Sequence, residues 1–190
     1  TSVTGAQGVV SGNATFNGAE AGGAVAYLMS QSRSVGTPGA ALIDQRGLRF
    51  VPNAVVVPPG SDVAFMNSDS VRHNVFSPKR GGAGFDLGSY HSGEQRVRRF
   101  DSTGVYVILC DVHPEMAAHV YVVPSSWNAL SDSTGSFRIT GVPAGVYTLV
   151  VQYRRRALAQ RSIRVLDGDS THASMALLPL RRAGARRPSQ

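Results

Sequence analysis

In GVYVILCDVHPEMAAHVYVV, residues 104–123, two apolar runs flank the segment Cys110-Asp111-Val112-His113-Pro114-Glu115-Met116. Runs rich in Val, Ile and Tyr read as strands. The segment between the runs reads as one short loop. Within that loop Cys, His and Met fall at intervals of three.

Working outward, LRFVP, AVVVPPG, DVAFMN, RHNVFS and QRVRRF also read as strands, from Leu48 onward. Asn67-Ser68-Asp69 and Pro58-Pro59-Gly60 supply turns. Residues 78–94 read as a glycine-rich loop, and 30–41, small and Gly/Pro-bearing, as a linker. Upstream, Gly8-Val9-Val10 and Ala24 to Met29 read as two strands around a turn. Downstream, GSFRIT, VYTLVVQYR, LAQRSIRV and THASMALL read as strands, with a tight turn at Gly141 to Gly145. Residues 180–190 lack an apolar period and are expected to form a disordered basic tail. The expected class is all-β, with a central block of about seven strands flanked by shorter β segments.

The composition narrows function. Hydrophobic residues make up 42% of the 190, enough for a sizeable core, and no apolar run is long enough to cross a bilayer as a helix. The net charge is +7, carried almost wholly by arginine, with Lys79 the one lysine. That balance favours acidic protein partners or anionic membrane surfaces. The arginines are not interleaved with aromatics and no nucleic-acid motif is present, so nucleic acid is not expected as a partner. Cys110 is the one cysteine and has no partner for an internal disulfide. A start at Thr1 fits a mature chain whose signal peptide has been removed, or a trimmed one.

A thiolate, an imidazole and a thioether are soft or borderline donors that together suit copper better than magnesium or calcium. Zinc gains little from methionine. A fourth donor must come from elsewhere, and His73 in RHNVFS, after a turn, is the best placed. Two histidines, a cysteinate and a weak axial methionine make up the electron-transfer copper geometry. An isolated Cys at a strand end is usually a small buried hydrophobe and an isolated Met usually core; it is the spacing that argues for a metal. His91, His119 and His172 have no partner at ligand spacing and read as surface or structural.

The stretch FVPNAVVVPPGSDVAFMNSDSVRHNVFS, then FDLGSY, then GVYVILCDVHPEMAAHVYVV resembles a plastocyanin-like cupredoxin domain, and the Cys-x-x-His-Pro-x-Met loop resembles that of amicyanin. The wider likeness is to bacterial methylamine utilization protein-like chains. The resemblance implies a Greek-key β-sandwich over residues 42–124. It implies one type 1 copper on His73, Cys110, His113 and Met116, and a supporting role for Asn74, the residue after the first histidine, in tying the two ligand loops together. Glu115 departs from the apolar surface that related carriers often keep beside the second histidine.

The flanks, GVVSGNATFNGAEAGGAVAYL and SDSTGSFRITGVPAGVYTLVVQYRR, resemble a carboxypeptidase regulatory-like, transthyretin-like β-sandwich. The expected division is a discontinuous sandwich from residues 1–29 and 130–179 with the cupredoxin inserted. The alternative is two consecutive domains. The resemblance implies a periplasmic or secreted one-electron carrier whose partner is a redox protein such as a c-type cytochrome. Copper trafficking or storage, or a copper-free cell-surface module, are the rival functions. Nothing in the chain supplies a substrate pocket or acid–base pair, so an enzyme is not expected.

Overall fold

The computed structural model describes residues 6–30, 36–79 and 84–180. Among them there are strands and turns and no α-helix. In chain order the strands are β1 (Gly8–Phe16), β2 (Ala19–Glu20), β3 (Val25–Ser30), β4 (Ala40–Gln45), β5 (Phe50–Val51), β6 (Ala54–Val57), β7 (Ser61–Asn67), β8 (His73–Ser77) and β9 (Phe85–Tyr90). Then come β10 (Gln95–Phe100), β11 (Gly104–Leu109), β12 (Ala117–Val122), β13 (Asn128–Leu130), β14 (Ser136–Val142), β15 (Gly145–Tyr153), β16 (Ala157–Val165), β17 (Ser170–His172) and β18 (Met175–Pro179).

Strands β4 to β12 form a sandwich of two sheets, β10-β7-β4-β5 and β6-β12-β11-β8-β9. The alternation of β7 shows how the core forms. Ser61, Val63, Phe65 and Asn67 face in, and Asp62 faces out. Phe65 meets Ile43, Val75, Ile108 and Val120 in one buried cluster. The strand β12 is buried on both faces. Ala118, Val120 and Val122 enter that cluster, while Tyr121 on the opposite face is 1% exposed. Burial on both faces is why AHVYVV reads as almost continuously apolar.

The remaining strands form a second unit, in the order β13-β3-β15-β16-β18-β1-β14, with β2 and β17 also paired to β1. Val10 on β1 pairs with Ile139 on β14, and Leu28 on β3 pairs with Leu149 on β15. Strands before residue 30 thus share hydrogen bonds with strands beyond residue 128. Their inner faces, with Ala26, Leu28, Leu149, Val151 and Val165, make a separate apolar core. At the junction Val25, Tyr121 and Val123 are buried together, flanked by Tyr27, Val56, Val105 and Leu130. The Tyr121 hydroxyl donates to Gly23 O at 2.9 Å and accepts from Arg154 N at 3.0 Å. Full burial of a Val or Leu side chain contributes roughly 1.5–3 kcal/mol, so this small cluster is a substantial adhesive between the halves.

Several elements differ from expectation. The first strand continues to Phe16 instead of stopping at Val10. Beyond Val10 its buried positions are Gly12 and Ala14, whose small size hides the alternation. A Cβ on Gly12 would collide with the carbonyl oxygen of Ala173, which is why the position is bare. Residues 78–94 are not one loop. Phe85–Tyr90 pairs with β8, across a register shift between Asn74 and Phe76, and Tyr90 is fully buried. The central block accordingly holds more strands than seven. The expected linker overlaps β4 at its end, and its residues 31–35 lie outside the described residues. Of the expected tail only Leu180 is described.

Candidate metal centre

Strand β11 ends at Leu109, paired with Ala117 at the start of β12. That last pair brackets the loop, so Cys110 and Met116 leave and re-enter the sheet side by side. Within the loop Met116 N donates to His113 O at 2.9 Å, closing a tight turn with Pro114 at its second position, where a fixed φ is favourable. Strand β8 joins β11 through Phe76 and Leu109, which carries His73 beneath the loop. His73 is 0% exposed, Cys110 3% and Met116 1%, while His113 is half-buried.

Three of these side chains converge. Cys110 Sγ lies 3.9 Å from His73 Nδ1 and 3.9 Å from His113 Nδ1, and the two nitrogens are 3.0 Å apart. A point equidistant from all three lies about 2.1 Å from each, a bonding distance for a first-row ion with nitrogen and thiolate donors. The sulfur contacts, at 3.9 Å, are long for hydrogen bonds, and the three atoms turn toward one shared point. The His73 ring supports the same reading. Its Nε2 is 2.9 Å from Asp69 Oδ2. A carboxylate only accepts, so Nε2 carries the hydrogen and Nδ1 presents a lone pair toward Cys110. The donor set of two imidazole nitrogens and one thiolate fits copper.

Around the ligands, Asn74 is 2% exposed. Its Oδ1 accepts from Asp111 N at 3.3 Å, and its Nδ2 donates to Asp86 Oδ1 at 2.8 Å, bridging the ligand loop to β9. Tyr90 stands opposite His73 on the neighbouring strand. Its hydroxyl donates to Phe65 O at 3.0 Å and accepts from Gln45 Nε2 at 2.6 Å, and burial pushes its pKa upward. Met116 lies in the same buried cluster as Cys110. Beside it opens a cleft of about 380 Å³, lined by Arg49, Phe50, Val51, Asn53 and Glu115 among others.

Sequence reasoning missed Asp69, taken only as part of a turn. Two signals were there, a carboxylate four residues before His73 and a turn between them. What the sequence lacked was any sign that the turn folds Asp69 back onto the imidazole. Of the two readings for His119, surface or structural, the second holds. It stacks on Tyr121 with ring centroids 6.1 Å apart, and burial followed by the Arg154 charge hold its pKa down to about 4. His91 and His172 lie exposed, away from the cluster.

Comparison with known proteins agrees with this chemistry. Residues 39–123 match the family model for copper binding proteins of the plastocyanin/azurin family, and residues 113–178 match the carboxypeptidase regulatory-like domain. Plastocyanin from Ulva prolifera is 32% identical over 78 residues, covering 37% of this chain and 80% of that relative. Among solved structures, a purple cupredoxin from Nitrosopumilus maritimus is 26% identical, covering 44% of this chain and 99% of its own, with a TM-score of 0.40. Amicyanin from Paracoccus versutus is 20% identical, covering 52% of this chain and 97% of its own, with a TM-score of 0.42. With His73, Cys110 and His113 forming a candidate type 1 copper site, the chain belongs to the plastocyanin/azurin family of copper-binding proteins.

Proposed function

We propose that this protein is a one-electron carrier working outside the cytoplasm, in the periplasm or after secretion, with copper held by His73, Cys110, His113 and Met116. The observation that carries this reading is the triangle of Sγ and two Nδ1 atoms, closed around one point and buried on the His73 side. Copper bound there supplies a Cu(I)/Cu(II) couple, strongly coupled to the thiolate. The chain's own part is to hold the donors still. Cys110 and Met116 are pinned by the Leu109–Ala117 pair, His73 by Asp69, and the loop by Asn74. Rigid donors leave little to reorganise between the two oxidation states.

The half-buried His113 ring is the proposed exit for the electron. Val112, Leu48 and Val71, all on segments bound to the ligand elements, are 54%, 42% and 44% exposed and offer an apolar contact surface. Excess positive charge would steer an acidic partner such as a c-type cytochrome, and anionic membrane surfaces would attract it in the same way. Glu115 opposes that steering, and Arg49 on the same cleft offsets it in part. We also propose that the copper domain, residues 42–124, is inserted in a sandwich made of 1–29 and 130–179. The shared strand pairing of β1 and β3 with β14 and β15 supports this.

Two measurements test the reading. The copper-loaded protein should show an intense visible band from Cys110-to-copper charge transfer, and a colourless protein holding a full equivalent of Cu(II) would reject it. Stopped-flow oxidation of the Cu(I) protein by an acidic cytochrome should slow as salt rises, with Glu115→Gln faster than the parent at low salt. A copper protein that exchanges no electrons with such partners would point to trafficking or storage.

A further inference from the structure

One carboxylate links the buried histidine to a surface turn. Asp69 Oδ1 accepts from Gly47 N at 2.6 Å, and its Oδ2 accepts from Leu48 N and from His73 Nε2, both at 2.9 Å. Gly47 and Leu48 are the central residues of the turn between β4 and β5, closed by Arg46 N donating to Arg49 O at 2.9 Å. Both lie in the left-handed region, with φ of 62° and 57°. For glycine that conformation carries no steric penalty, but for leucine it is strained and persists only where the surroundings hold it. Here the two amides are held by Asp69, whose own place is set by Asp69 N donating to Asn67 Oδ1 at 3.0 Å. Asn67 is fully buried and is anchored in turn to Val71 O and Tyr90 O. The Leu48 side chain points its apolar surface outward, 42% exposed.

We propose that Asp69 is a positioning residue that fixes His73 as an Nδ1 donor and couples the metal site to the Gly47–Leu48 turn. Leu48 N and His73 Nε2 share one oxygen, Oδ2, so a displacement of the turn changes the hold on the imidazole. A protein pressing on Leu48 is then felt at the copper through a single side chain. The inference rests on the reading of His73 as a copper ligand. It adds a residue that touches no metal and a surface turn that tunes the site.

The test uses the full chain with copper bound. In the Cu(I) protein, histidine ¹⁵N spectra should show His73 protonated at Nε2 with Nδ1 as the bound nitrogen. Asp69→Asn keeps the size of the side chain and removes its charge from beside the ligand. A less electron-rich imidazole favours Cu(I), so the relative affinity for Cu(II) should fall about tenfold, a rise in potential of about 59 mV for one electron. The visible band should persist. Gly47→Ala adds a methyl that meets no atom within 4 Å and so acts only by straining the turn. It should shift the potential less than Asp69→Asn does, but measurably. An unchanged potential in Asp69→Asn would overturn the positioning role, and an unchanged potential in Gly47→Ala would overturn the coupling to the turn. Absence of the visible band from the parent protein would instead remove the copper reading. The ¹⁵N spectrum of the metal-free protein would still decide whether Asp69 holds the Nε2 proton, as it would if Asp69→Asn failed to fold.

Discussion

The two halves of the molecule are built by the same rule and bury different things. Both are sandwiches of alternating strands closed over an apolar core. The flanking half buries Ser131, and that hydroxyl is fully used, donating to Ala21 O at 2.7 Å and accepting from Ala24 N at 2.9 Å. The copper half buries Gln45, Asn67, His73 and Asn74 together at one end. Some of these are satisfied as Ser131 is. His73 Nδ1 and Cys110 Sγ instead turn toward the same point as His113 Nδ1, and their polar contacts are with one another. A buried polar group whose bonds are complete stabilises a fold, whereas two imidazole nitrogens and a thiolate turned toward one point offer lone pairs that a metal ion can take up. That contrast, more than the strand pattern, separates the half that holds a metal from the half that supports it.

The largest effect tests the contrast directly. Cys110→Ala should abolish the visible copper band altogether while the unfolding of the flanking half is unchanged. Survival of the band, read by absorption, would mean that the thiolate is not the strong donor. Next, Met116→Gln should keep copper bound and lower the potential by about 100 mV, worth ~2.3 kcal/mol per electron, because an oxygen donor favours Cu(II) more than a thioether does. Voltammetry giving the parent potential would remove Met116 from the donor set.

The junction should respond more weakly. Tyr121→Phe strips the hydroxyl that joins Gly23 O and Arg154 N, leaving two backbone groups without their partner at a site 1% exposed. A loss of about 1–2 kcal/mol in urea unfolding is expected, with the copper spectrum unmoved. Equal stability of the two proteins would show that water replaces the hydroxyl.

The smallest effect is that of pH. His119 has a folded pKa of about 4, below its ordinary 6.5, through burial first and Arg154 second. The folded state therefore binds fewer protons than the unfolded one in that window. Stability should fall as pH drops from 6.5 toward 4 and level off below it. Because the ring is only partly buried, the loss should be on the order of 1 kcal/mol, and His119→Gln should flatten it. Parallel pH profiles for the two proteins would show that His119 is solvated at the junction.

The glycine-rich segment around β9 shows where reading by pattern stops. Gly84 and Gly88 mark it as a loop, yet Phe85, Leu87 and Tyr90 pack against the copper core once β8 lies beside them. Likewise β1 looks too polar beyond Val10. It is a strand because β14, more than a hundred residues later, offers Ile139, Arg138 and Phe137 in register. His119 was legible as a strand residue, but not as one enclosed by another part of the chain.

What the sequence by itself determined is local. Cys110, His113 and Met116 stand within seven residues between two apolar strands, and covalent geometry alone keeps such donors within reach of one another. The strand class follows from the same short-range alternation. His73 was legible as a donor candidate from its place after a turn at the start of a strand, although its 37-residue separation from Cys110 has no covalent meaning. Only the tertiary structure decided that Asp69 turns back to His73 and Gly47, that Tyr121 reaches Gly23 and Arg154, and which residues of β1 and β3 meet which of β14 and β15. The reason is that a side chain's partner across the fold is chosen by which faces must leave water together. That choice belongs to the whole chain and is written in no single segment of it.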